Sequence, residues 1–421
     1  MFRRDAENRL LQLWADFPVV LVSGARQVGK STLVNRLAKK MGIAQHLTLD
    51  SSSARIKAAE DSELFIQSLR LPAFIDEAQK SPPLFEAIKQ QVDQHRAPGR
   101  FILSGSANFL LLKRLSESLA GRSARLFLRG ISVREHLGRT GKPPHLGDCL
   151  KAHSSREVLD RAHADSGSHR LRAQDWAARM LGGRFPEMVL QPGRDDFRIS
   201  WMENYVDAFI TKDLQDFGHV QNRLEFRRFW QIAASSAAQI RDLSKLGGAL
   251  GISYHTADRY LGLLEQGCHL FQLAPYHANI GKRLTKSPRI FFEDTGLALF
   301  LSGIRSLDQI EASERRGAWL ENFMVSEIKS ITEIFFAGAQ VWFWRTLAGA
   351  EVDLVVEHGR RLLPIEIKWS TKPMRGELRG LEAFLKDFEK QAPFGLVACP
   401  VPEPFLVTER IAAVPLDWLI V

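Results

Sequence analysis

The stretch "FPVVLVSGARQVGKSTLVNRLAKK" (17–40) constrains the fold more than any other part of the chain. Its apolar run, Val19 to Val22, reads as a buried strand. Gly24-x4-Gly29-Lys30-Ser31 then fills the P-loop pattern, and "STLVNRLAKK" continues as an amphipathic helix. Chemistry dictates that order. Glycines let the backbone between them (Ala25, Arg26, Gln27, Val28) wrap a row of phosphates. The helix that opens at Lys30, Ser31 and Thr32 offers unpaired N–H groups to an anion. Lys30 neutralises phosphate charge, and the Ser31 hydroxyl suits Mg²⁺. A strand, loop and helix in this register predict an α/β nucleotide-binding core for ATP.

A second strand, "LPAFIDEAQK" (71–80), ends in Asp76-Glu77, about 45 residues past the P-loop. That spacing suits a Walker B strand. Asp76 would hold Mg²⁺ through water and Glu77 would activate the attacking water. The third strand, "GRFILSGSANFLL" (99–111), offers Ser104, Ser106 and Asn108 as sensors of the terminal phosphate, with Ser106 assigned to the nucleotide site. "SLAGRSARLFLRG" (118–130) adds Arg122 and Arg125 as arginine fingers or phosphate sensors, Arg122 being assigned a catalytic part.

Net charge is +9, which favours an anionic partner. Between 219 and 290 ten Lys/Arg face four Asp/Glu, so most of the excess lies there. In that region "RDLSKLGGALGISYHTADRYLGLLEQG" (241–267) reads as helix, tight turn, helix, and "HLFQLAPY" and "SPRIFFEDTG" as two wing strands. A winged helix would set Tyr254, His255, Arg259, Lys282, Arg283 and Lys286 against DNA. Packing against protein is the other use of such a module.

Towards the C-terminus, "RRLLPIEIKWS" (360–370) reads as a buried strand that nonetheless carries Glu366 and Lys368 on one face. Charges seldom tolerate burial without a partner or a ligand. The helix of 313–333 carries Glu321, the strand "AEVDLVVEHG" carries Asp353, and a helix (376–391) and a strand (394–400) follow. With these residues on it, the element order resembles the PD-(D/E)XK nuclease fold, and that resemblance implies that Asp353 and Glu366 bind Mg²⁺ or Mn²⁺ with Glu321 assisting, while Lys368 orients a water attacking a phosphodiester. The bland alternative is a structural ion pair between Glu366 and Lys368.

No apolar run approaches the roughly 20 residues that span a bilayer, so no membrane partner is expected. Three separated cysteines, Cys149, Cys268 and Cys399, fit a reducing cytoplasm. Segment 140–171, rich in Gly, Pro, Ser and His, reads as an insertion or linker around a short helix. Its Cys149, His153, His163 and His169 match no zinc spacing.

The helix–strand–strand–strand–helix–strand order of the last segment resembles the PD-(D/E)XK (restriction-endonuclease-like) fold. The stretches "SGARQVGKSTL", "FIDEAQK", "LSGSAN", "KRLTKSPRIFFEDTGL", "GAWLENFMVSEI", "FWRTLAGAEVDLVVE" and "PIEIKWS" together resemble a prokaryotic family of AAA-type ATP-binding proteins with such a domain at the C-terminus. The resemblance implies a P-loop ATPase domain (1–215), a winged-helix domain (216–305) and a nuclease-like domain (306–421). The expected function is a Mg²⁺-dependent ATPase engaging nucleic acid, DNA in the first instance, with a metal-dependent nuclease as second activity. An ATP-switched DNA-binding regulator with an inert nuclease-like domain and an ATPase that binds protein partners are the alternatives. Self-assembly is expected where an arginine completes a neighbour's site.

Overall fold

A computed structural model describes residues 2–106, 119–165, 171–214, 220–279 and 286–421. Asn108, His169, Lys282 and Arg283 lie outside the described residues.

The N-terminal sheet holds five parallel strands: β1 (Val19–Ser23), β2 (Gln45–Thr48), β3 (Ala73–Asp76), β4 (Phe101–Gly105) and β5 (Ser123–Phe127). They lie in the order β2-β3-β4-β1-β5. Parallel strands covered on both faces need apolar residues at every position, and β1, VVLVS, is buried throughout. Val20, Val22, Phe74, Ile102, Ala124 and Leu126 face one core. Val19, Leu21, Ala73, Ile75, Phe101 and Leu103 face the other. β4 thus separates the P-loop strand β1 from β3, which puts Ser104 between Val22 and the carboxyl end of β3. The short edge strand β2, half-exposed and rich in polar residues, gave no sequence signal.

The middle of the chain is helical. Helices Leu243–Gly248 and Tyr254–Gln266 pack together across a turn in which Gly251 takes φ 69°. Ser253 caps the second, its side chain accepting from the Thr256 N–H at 3.1 Å. β6 (Leu270–Leu273) and β7 (Arg289–Phe292) form an antiparallel pair.

The C-terminal sheet has six strands in the order β12-β13-β11-β10-β9-β8. They are β8 (Gln340–Arg345), β9 (Glu351–His358), β10 (Arg361–Ile367), β11 (Gly395–Cys399), β12 (Phe405–Thr408) and β13 (Ile411–Pro415). The 20-residue helix Arg316–Phe335 precedes β8, and helix Arg379–Asp387 lies between β10 and β11. Segment 140–171 supplies two helices, Leu146–Lys151 and Ser155–Ala164, packed on this sheet. Ser155 donates to the Glu409 carbonyl at 2.6 Å, and the His145 ring stacks on Trp418. Apolar spacing is diluted there by Gly, Pro and His, which is why it reads as a linker.

One hydrophobic core runs through the molecule. It takes in one face of each large sheet (Val22 and Phe74; Leu354 and Ile365) and the middle helices (Phe226, Trp230, Leu264). Ion pairs cross it. Arg129, just after β5, pairs with Glu293 (2.6 Å) and with Glu333 of the Arg316–Phe335 helix. Arg184 pairs with the fully buried Glu327 at 3.0 Å.

Candidate nucleotide site and a second carboxylate cluster

The loop between β1 and helix Lys30–Met41 has the backbone that its glycines permit. Gly24 takes φ 151° and Gly29 φ 95°. A Cβ on Gly24 would stand 2.1 Å from the Leu128 carbonyl oxygen, so only glycine fits. Gln27 is left-handed as well, at φ 64°. Ala25 and Val28 are buried, Gln27 is exposed, and Thr32 is exposed on the helix. Arg26 is paired with Asp213, 2.7 Å away.

Lys30 is 5% exposed, and its Nζ donates to the carbonyls of Gly24 (3.0 Å) and Ala25 (2.9 Å). Burial lowers its pKa from the ordinary value, against the opposing influence of Glu77. A buried ammonium answered mainly by carbonyls gains by taking up an anion.

Asp76 ends β3 beside it. Its carboxylate accepts from Ser31 Oγ at 2.6 Å, from Ser104 Oγ, and from the Glu77 N–H at 3.1 Å. Hydroxyl and carboxylate oxygens are the donors that Mg²⁺ prefers, so this pair fits the ion. Glu77 stands in the left-handed region (φ 55°), and Gln79 and Ser106 both hydrogen-bond its Oε2. Gln79 Nε2 also donates to Ser106 Oγ at 3.2 Å. Sequence reading passed over Gln79, a buried amide in a three-residue 3₁₀ turn (Ala78–Lys80). Its one signal was a polar side chain two residues past an acidic pair.

Arg122 is not brought to this site. Its carbonyl accepts from the Val19 N–H at the amino end of β1, whereas the P-loop follows the carboxyl end. Its guanidinium pairs with Asp93, Nε to Oδ1, at 2.5 Å. Strand direction makes the difference: a residue preceding a parallel strand and a loop following its neighbour lie at opposite ends of the sheet. Arg125 is an exposed residue within β5.

A second cluster lies on the C-terminal sheet. Asp353 (β9) accepts from the Ile367 N–H at 2.9 Å, which ties it to β10. Glu366 (β10) pairs with Lys368 at 2.8 Å, and its second oxygen, Oε2, is buried without a partner. Burial, then the nearby carboxylates, raises the pKa values of Glu321 and Glu366. Burial raises that of Asp353 too, against Arg289. For Lys368 burial acts downward, but Glu366 and Asp353 prevail and hold it above its ordinary value.

Arg289, from β7, enters this cluster. Its Nη1 lies 2.7 Å from Glu321 and 3.8 Å from Asp353, and its Nη2 lies 2.9 Å from Glu351. The expected metal set of Glu321, Asp353 and Glu366 is therefore divided, with Glu321 engaged by a guanidinium. Among the described residues no three His, Cys, Asp or Glu side chains are gathered as for a metal ion. The oxygens of Asp353 and Glu366 are of the kind a metal takes, but Arg289, paired with Glu321 and 3.8 Å from Asp353, already supplies a cation to this cluster. Arg289 was legible only as a charge at the head of an apolar strand, an oddity akin to the one that marks Glu366.

On helix Tyr254–Gln266, Tyr254, His255 and Arg259 are exposed, as is Lys286 before β7. The Tyr254 and His255 rings meet edge to face at 5.9 Å. The three cysteines are free and buried. No helix among the described residues is long and apolar enough to cross a membrane.

Residues 16–137 match the AAA domain. Residues 173–308 match a domain of unknown function (DUF8612), and residues 316–419 match another (DUF4143). Over 419 residues the chain is 30% identical to an uncharacterized protein of Mycobacterium tuberculosis and to one of Mycobacterium bovis; the alignments cover 99% of this chain and 84% of each relative. Among solved structures, a Walker-type ATPase of Pyrococcus abyssi aligns with a TM-score of 0.43 at 14% identity, covering 72% of this chain and 96% of that one. A RuvB variant of Thermotoga maritima aligns at 0.31 with 17% identity, covering 64% of this chain and 90% of that one.

Proposed function

Since this chain belongs to the family of those mycobacterial proteins and carries an AAA domain, we propose that it is a Mg²⁺-dependent ATPase whose nucleotide state governs its hold on nucleic acid. One observation carries the reading: Lys30, Ser31, Asp76 and Glu77 meet at the carboxyl ends of β1 and β3, with Glu77 held by Gln79 and Ser106. Lys30 takes the phosphates, and Ser31 and Asp76 hold Mg²⁺, whose charge offsets that developing on the transferred phosphoryl group. Glu77 accepts the proton of the attacking water. Arg122, at the far end of the sheet from its own chain's site, acts in the site of a neighbouring copy, and a homo-oligomer follows from that role.

Exposed Tyr254, His255, Arg259 and Lys286, in the most basic part of the chain, support a winged-helix contact with DNA. Free buried thiols suit the cytoplasm. The test is ATP turnover beside DNA binding by fluorescence anisotropy, with ATP, with ADP and without nucleotide. Lys30→Ala should lose nucleotide binding and turnover, and Glu77→Gln should bind ATP without turning it over. DNA affinity that is negligible in every nucleotide state would transfer the reading to a protein-binding ATPase.

The second reading, a metal-dependent nuclease, is favoured by Asp353 on β9, Glu366 on the neighbouring β10 and Lys368 just past its end. Cleavage of linear, branched and single-stranded DNA and of RNA with Mg²⁺ or Mn²⁺, lost in Lys368→Ala, would establish it. Tight binding without cleavage would leave the nuclease-like domain as an inert part of an ATP-switched regulator.

A further inference from the structure

We propose that Arg289 is a built-in cation that closes the C-terminal carboxylate cluster, and that a divalent metal enters at Asp353 and Glu366 only when this guanidinium is withdrawn. Such a closure would hold whether or not the domain cleaves nucleic acid.

Four carboxylates meet here, Glu321, Glu351, Asp353 and Glu366, supplied by one helix and two strands. Arg289 answers two of them with hydrogen-bond-length contacts from separate nitrogens and lies 3.8 Å from a third. The residue is 5% exposed, and its guanidinium also lies over the Phe343 ring at 4.9 Å. A planar fork reaching several carboxylates at once is what arginine supplies and a point cation on a flexible stem does not. A metal on the Asp353 carboxylate would share it with Nη1, 3.8 Å away, and would meet the guanidinium's own positive charge in a buried place. Metal and guanidinium therefore compete for one place.

Arg289 leaves Glu366 incompletely answered. Lys368 takes one oxygen, while Oε2 is buried with no partner. A buried carboxylate oxygen with no donor is costly, and it marks the side of the cluster where positive charge is still lacking. Arg289 is also no part of the C-terminal domain that it closes. It sits on β7, where Phe292 exchanges hydrogen bonds with Asn322 and the following Glu293 pairs with Arg129 beside the N-terminal sheet. The closing group is thus borne by an element tied to the other parts of the chain, as an intramolecular plug requires.

The test is Mn²⁺ uptake without nucleotide, read by electron paramagnetic resonance on the full chain, for wild type, Arg289→Gln and Arg289→Lys. Each is paired with the same protein carrying Glu366→Gln, so that an ion at this cluster is told from one at the P-loop. Wild type should take up no Mn²⁺ that Glu366→Gln abolishes. Arg289→Gln should take up one equivalent, at Mn²⁺ concentrations at least about tenfold below the highest at which wild type still takes up none there, and lose it with Glu366→Gln. Arg289→Lys should fall between. Uptake at the cluster by wild type as tight as by Arg289→Gln would overturn the proposal, as would folded Arg289 variants that take up none. Should both variants fail to fold without metal, recovery of the folded circular dichroism spectrum in Mn²⁺ supports the proposal, and no recovery overturns it.

Discussion

His269 provides a sharp test of how the space behind the P-loop is built. The ring is fully enclosed by Tyr205, Phe209 and Trp230, with centroids 5.8, 4.2 and 4.6 Å away, and neither nitrogen has a hydrogen-bond partner. It lines a small cavity shared with Ala25, Val28 and Cys268. Burial alone drives its pKa from 6.5 to about 3, because an imidazolium there would have neither water nor counter-ion. The unfolded chain binds that proton below pH 6.5 and the folded chain does not until near pH 3. Stability from this residue is therefore fully present above 6.5 and is lost as pH falls through the window. At 1.36 kcal/mol per pH unit, the loss between pH 7.5 and 5 is about 2 kcal/mol, rising to about 3 at pH 4. Urea unfolding of wild type and His269→Leu at pH 7.5, 6.5 and 5 measures it, since leucine cannot titrate and its packing cost does not vary with pH. The wild-type advantage over the mutant should shrink by about 2 kcal/mol across that range. A difference between the two that stays constant with pH would show that His269 is solvated or paired in the folded state, and the closed aromatic cage would be wrong.

Other outcomes follow from the same geometry. Gln79→Ala should cut ATP turnover by about tenfold by freeing the Glu77 carboxylate, while nucleotide affinity by fluorescence titration stays within about twofold. Gln79→Asn should restore only part of the rate. Arg129→Met leaves Glu293 and Glu333 without their shared cation and should cost about 3 kcal/mol, read from the urea midpoint. Gly24→Ala, whose methyl group meets the Leu128 carbonyl, should abolish nucleotide binding while circular dichroism shows the fold retained. Charge reversal at Arg259 should weaken DNA binding at all sequences alike and lower the salt dependence by about one counterion.

Much of the fold was legible in the sequence because its signals are local. The P-loop and the Asp76–Glu77 strand end depend on neighbours within a few residues, and so do the paired helices around Gly251. The elements read across 313–400 occur in the expected order, since strands of alternating or continuous apolar residues announce themselves. The hairpin of β12 and β13 and the edge strand β2 did not, being only four or five residues long, with β2 largely polar as well. Segment 140–171, whose composition suggests an insertion or linker around a short helix, was legible only in part: its few apolar residues, Leu146, Cys149, Leu150 and Val158, are enough to bury two helices.

What the sequence by itself determined is the nucleotide-binding loop, because backbone freedom at Gly24 and Gly29 and the charge of Lys30 act over a single turn of chain. Only the tertiary structure decided which charges meet. Arg122 and Lys30 are neighbours by strand but lie at opposite ends of a parallel sheet. Arg289 and Asp353, 64 residues apart, stand 3.8 Å from one another. The energy of a buried charge depends on the distance to its partner and on the water excluded around both, and neither quantity exists until the distant elements have packed.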